Sequence, residues 1–135
     1  TNNNSGAPDI NDSSIALCVR YLNHSAFLTG DAGSSVLNGA FNGSGRSLDP
    51  KHNFLKVSHH GSVTGTNRQV LSTLNPGKCF ISAGQNQRYN HPDSGVVSRI
   101  NHHCGRHNLI ISKKVQKTVC YIPDRSGLWL CKTIK

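Results

Sequence analysis

Apolar and polar positions alternate with a period of two in several short stretches of this chain. Ile15 to Leu22 (IALCVRYL) and Ala26 to Thr29 are the first two; joined by a turn at Asn23 and His24 and closed by Gly30 and Asp31, they read as a hairpin. Phe54 to Val57 reads as a third strand, Cys79 to Ser82 as a fourth, and Leu109 to Ile111, Lys117 to Ile122 and Leu128 to Ile134 as three closing strands. Helical spacing appears between them. Val70, Leu71 and Leu74 share one face of a helix that a capping box at Thr66 and Gln69 would open and Asn75 with Pro76 would end. Val96, Val97, Ile100 and Cys104 share the face of another, with Pro92 in its first turn and Gly105 at its end. A shorter helix is predicted from Ala32 to Leu37, capped by Asp31 or Ser34 and stopped by Gly39, Gly43 and Gly45; residues 38–52 then form a loop. The order predicts an α/β fold, a mixed sheet with helices on one face, over residues 14–135 after a polar lead-in at 1–13 that anchors no core.

Composition narrows this in three ways. At 135 residues one domain is expected, and with 35% hydrophobic residues and 13 glycines its elements should be short. No run approaches the roughly 18 apolar residues that span a bilayer, and the first residues lack the pattern of a leader, so neither a membrane partner nor a targeting segment is expected. The 15 Lys and Arg against six acidic residues give a formal charge of +9, which favours an anionic partner, nucleic acid among the candidates. Lys113, Lys114 and Lys117 read instead as a solvated strand edge, and Trp129 as a core residue. Five cysteines without a CxxC pair suggest neither a disulfide framework nor a zinc ribbon; reduced thiols and a cytoplasmic location fit them best.

The chemistry concentrates at strand ends. LKVSHHGS at 55–62 is an apolar strand that stops in two histidines, a glycine and a serine, and the strand endings at Asp31 and around His91 would converge on it at one edge of the sheet. Imidazole nitrogens with a carboxylate suit zinc, manganese or iron, whereas calcium and magnesium call for more oxygen ligands. A second cluster, His102, His103, Cys104 and His107, has the residue types of a zinc site. Its place at a helix end, where neighbouring side chains diverge and the dipole favours histidine, makes a structural role the expectation.

FLTGD at 27–31, LKVSHHGS at 55–62 and ISAGQNQRYNHPD at 81–93 resemble, in order and spacing, the C-terminal half of metallo-beta-lactamase-fold hydrolases, of the type fused to bacterial DNA-uptake competence proteins. Asn11 and Ser14 match residues ahead of that family's corresponding strand, so the resemblance covers about residues 11–100. It implies one half of an αββα sandwich of two sheets with helices outside. Asp31 would bridge two metal ions, zinc or manganese in a dinuclear centre, and one of the histidine pair would be the final ligand. His60, which directly precedes Gly61, is preferred to His59. His91 would contact the scissile group or protonate the leaving oxygen, with Asn86 and Ser62 as hydrogen-bond donors, and the reaction would be hydrolysis of a phosphodiester in nucleic acid or a nucleotide. The family's His-x-His-x-Asp-His motif does not occur in this chain. An N-terminal half of the fold, or a second copy of the chain, is therefore expected to cover one sheet face. The competing expectation is a catalytically incomplete, self-associating binding module.

Overall fold

The protein is described by a computed structural model covering residues 9–42, 49, 52–84 and 88–112, and the strand backbones at 118–123 and 129–134. Strands β1 (Leu17–Tyr21) and β2 (His24–Leu28) form the hairpin, with Leu22 at φ 50° in its turn. Helix α1 (Ser34–Ala40) leads to β3 (Asn53–Lys56), α2 (Arg68–Leu74), β4 (Lys78–Ile81), α3 (Ser94–Cys104) and β5 (Leu109–Ile111). These five strands make one mixed sheet in the order β1-β2-β3-β4-β5, antiparallel between β1 and β2 and parallel across the rest.

The register explains which side chains share a face. Cys18 pairs with Phe27, Phe27 with Leu55, Leu55 with Cys79 and Cys79 with Leu109, one row across the sheet. That row, with Val57, Ile81 and Ile111 beyond it, packs against Leu37 and Phe41 of the α1 region, Val70, Leu71 and Leu74 of α2, and Val96 and Ile100 of α3. Phe27 and Phe41 meet edge to face at 5.4 Å. All three helices therefore lie on this face, where most of these side chains are fully buried, each worth about 1.5–3 kcal/mol of transfer free energy. The period-two pattern puts the alternate residues on the other face. There Leu17, Val19 and Tyr21 are 51%, 54% and 66% exposed, and Phe54, Phe80 and Ile110 are half-buried.

Several local expectations change. The closing strands separate: β5 completes the main sheet, while β6 (Thr118–Pro123) and β7 (Trp129–Ile134) pair with each other in a two-stranded antiparallel sheet. Strand pattern specifies a pleat but not a partner. Asn67, not Thr66, caps α2, its side-chain oxygen accepting from the Val70 amide at 2.8 Å; Thr66 is buried and its hydroxyl accepts from the Ser58 amide. Asp93 caps α3 with bonds to the Gly95 and Val96 amides, which leaves Pro92 just outside the helix. Neither Asp31 nor Ser34 caps α1; Gly33 occupies that position in extended backbone, and the Ser34 amide donates to the Thr64 carbonyl instead. Gly39 lies within α1, where an exposed glycine costs about 1 kcal/mol without ending the helix. The lead-in assigned to 1–13 is structured at its end, since Ile10–Ser13 form a 3₁₀ turn capped by Asp9. Among the described residues no helix is long and apolar enough to cross a membrane. Lys113, Lys114, Lys117 and the Trp129 side chain lie outside the described residues.

Candidate functional site

The site is assembled where β2, β3 and β4 end. Beyond β2 the chain turns at Gly30, whose φ is 55° and where a Cβ would stand 2.9 Å from the Ser14 Cβ, so glycine is required. The Gly30 carbonyl accepts from the His59 amide and the Lys56 ammonium, both at 3.1 Å. From the opposite side the Ser14 hydroxyl accepts from the Asp31 amide at 3.1 Å, and the Asp12 carboxylate accepts from the Gly33 amide at 2.8 Å. Asp31 is thus fixed between the N-terminal turn and the tip of β3.

β3 runs into a 3₁₀ turn, Ser58–Gly61, in which His59 (φ 46°, ψ 48°) and His60 (φ 53°, ψ 22°) both take left-handed backbone. Each such residue costs about 1–2 kcal/mol, and two in succession persist only where surrounding contacts impose them. Here the Ser62 amide donates to the His59 carbonyl, and the Asp93 amide to the Gly61 carbonyl. Gly61 continues the curve at φ 82°, where a Cβ would sit 2.6 Å from that of Pro92.

The turn brings both imidazoles to a pocket of about 410 Å³, walled also by Asp31, Ala83, Gly84, Tyr89 and His91. His60 Nδ1 lies 2.6 Å from the Ser82 carbonyl oxygen. A carbonyl can only accept, so this nitrogen donates, and in the neutral ring Nε2 keeps its lone pair. That Nε2 faces Asp31 Oδ1 at 3.6 Å. Two lone-pair atoms so placed repel unless a proton or a metal ion lies between them. Two ligands of one ion, each at roughly 2.0–2.2 Å in tetrahedral geometry, stand about 3.4 Å apart, close to the observed separation. The carbonyl behind the ring is the usual partner of a metal-binding histidine. Asp31 and His60 thus fit a metal as two donors. Among the described residues no group of three or more His, Cys, Asp or Glu converges to complete a ligand set.

The other residues are ordered by rings. His91 stacks on Tyr89 at 6.0 Å with a 13° interplanar angle, and the His59 ring lies 5.8 Å from it. His59 Nδ1 lies 3.4 Å from the Thr64 hydroxyl. Behind the pocket, half-buried Lys56 has its ammonium pushed below the ordinary lysine range by burial, and the Asp31 charge opposes that shift.

The structure therefore gathers Asp31, His59, His60 and His91 around one pocket. Ser62 does not line it; that side chain is buried and shares a hydrogen bond with the Thr64 hydroxyl. Asn86 lies outside the described residues. Tyr89 and Lys56 escaped the sequence reading, although a lone aromatic in the polar loop before His91 was a usable signal. The His102, His103, Cys104 and His107 cluster does not converge: His102 and His103 are exposed, while the Cys104 thiol lies 3.8 Å from that of Cys79. Cys18, Cys79 and Cys104 are free thiols.

The chain is 34% identical over 96 residues to ComE operon protein 3 of Bacillus subtilis (strain 168), a match that covers 69% of this chain. It spans only 12% of the length of that relative. No family model and no solved structure matches the chain.

Proposed function

We propose that this chain is the C-terminal part of a metallo-beta-lactamase-fold hydrolase that cleaves a phosphodiester in nucleic acid or a nucleotide. The observation that carries the metal assignment is the Asp31 and His60 pair, 3.6 Å apart, with the far side of the imidazole held by the Ser82 carbonyl. Asp31 and His60 would hold zinc or manganese, Asp31 as the shared carboxylate of a dinuclear centre whose remaining ligands come from an N-terminal half. When bound, the ions supply Lewis acidity and lower the pKa of a coordinated water. The residues of this chain then orient and neutralise. The Ser82 carbonyl fixes the His60 tautomer, and the latch from Ser14 holds Asp31. His91, supported by Tyr89 and facing the pocket, is placed to hydrogen-bond the phosphoryl group or protonate the leaving oxygen. The net charge of +9 favours an anionic substrate over a neutral one.

The apolar face at Leu17, Val19 and Tyr21 is where the N-terminal half of such a sandwich would seat. The same exposure favours a second reading, a catalytically incomplete module that self-associates through this face. The two readings separate on the coding sequence upstream of Thr1. The hydrolase reading requires His-x-His-x-Asp-His there, and a polypeptide extended to include it should hydrolyse bis-p-nitrophenyl phosphate with zinc or manganese. His91→Ala should then lower kcat by about 10²–10⁴. An upstream frame without that motif, or an extended polypeptide inert with either metal, would overturn the hydrolase reading in favour of the module.

A further inference from the structure

A larger hollow, about 630 Å³, lies on the helical side of the molecule and shares no residue with the strand-tip pocket. It runs between α2 and α3 and is lined by Arg68 and the apolar Leu71 from the first, and by Gly95, Ser98, Arg99, His102 and His103 from the second. The spacing explains the stripe: Ser98, His102 and Arg99, His103 are four-residue steps that stack on one helix face. Arg99 is half-buried, and its Nη1 donates to the Thr66 carbonyl at 2.8 Å, which pins the guanidinium beside the start of α2 and leaves its other N–H groups for a ligand. Among the described residues neither Arg68 nor Arg99 has a carboxylate partner, and no carboxylate lines the hollow. A second hollow of about 460 Å³ shares Ser98 and His102 with the first and extends the basic strip to Arg106.

We infer that this strip binds the phosphodiester backbone of a nucleic-acid strand. Guanidinium groups present planar forks that match phosphate oxygens, and a lining of Arg, His and Ser offers donors with no competing acceptor charge. From Gly95 to Cys104, α3 rises about 13 Å, longer than one phosphate, so an extended polyanion fits better than a single ion. No Phe, Tyr or Trp lines either hollow, so the contacts on offer go chiefly to the phosphodiester backbone, which carries no sequence information. The chain's +9 charge adds long-range attraction, but the strip is where it becomes a built contact. This inference does not rest on the metal pair.

The test is a fluorescence-anisotropy titration of the full chain with a labelled single-stranded oligonucleotide across a salt series, with a chelator present so that metal plays no part. Arg68 and Arg106 are exposed, so Arg68→Ala and Arg106→Ala leave the fold intact; Arg99 is spared because it anchors Thr66. Each substitution is expected to lower the magnitude of the salt slope by about 0.7, and the double variant to weaken binding about tenfold. Arg20→Ala, which removes an equal charge from β1, should leave the slope nearly unchanged. Absence of saturable binding, an unchanged slope in the double variant, or an equal loss in Arg20→Ala overturns the proposal. So does equal displacement by polyglutamate, which would make the partner an acidic protein, or by inorganic phosphate alone.

Discussion

The two faces of the five-stranded sheet are built from the same strands and differ in almost every physical respect. On the helical face Phe27, Leu55, Cys79 and Ile81 are buried beneath α1, α2 and α3, and the chain completes the layer unaided. On the opposite face Leu17, Val19, Tyr21 and Leu28 are exposed, and the pocket at the strand tips offers two metal donors where a stable site needs more. The finished face gives the fold its stability. On the proposed reading, the exposed face and the Asp31 and His60 pair are what a further polypeptide would complete.

That contrast can be broken most forcefully by truncation. Leu55→Ala, in the centre of the packed face, should destabilise the chain by about 2–5 kcal/mol in chemical denaturation. Val19→Ala on the open face should change stability by no more than about 0.5 kcal/mol. Equal losses would mean that the open face is already covered.

Gly61→Ala sharpens the boundary between scaffold and site. With φ at 82° and Pro92 in the way, the substitution should cost about 2 kcal/mol of stability and displace the histidine turn. A variant of unchanged stability would remove the argument that the turn is held under strain.

The smallest effect belongs to the helical side. Partial desolvation of the largely exposed His103 imidazole, and next the neighbouring His102 charge, hold it below the ordinary histidine range. The unfolded chain therefore binds more protons in the window between that lowered value and about 6.5, so stability should rise with pH across it. Denaturation at several pH values should show a shallower rise in His103→Gln than in the unmodified chain.

How far these features could be read in the sequence follows from their range. Alternation at Phe54 to Val57 and helical spacing at Val96, Val97, Ile100 and Cys104 are local, and they placed the strands, the helices and the buried face. Asp31, the histidine pair and His91 were legible because each sits at the end of a recognisable strand or loop motif. Long-range choices left no such trace. Nothing near Ser14 or Asp12 announces that their side chains latch a loop about 20 residues away, and nothing in β6 and β7 says that they prefer each other to the main sheet. The left-handed backbone of His59 and His60 was hidden too, because histidine, although enriched at positive φ, adopts ordinary backbone far more often.

The incomplete pair at the strand tips is the centre of the functional proposal, and zinc uptake tests it most directly. Chain freed of metal by chelation would be titrated with zinc, and the weak uptake that two donors allow would be read at equilibrium by isothermal calorimetry. The expected result is uptake by the unmodified chain that Asp31→Ala and His60→Ala each abolish, while His107→Ala, at the other histidine cluster, leaves it unchanged. A full complement of zinc in both site variants, or an equal loss in His107→Ala, would contradict it.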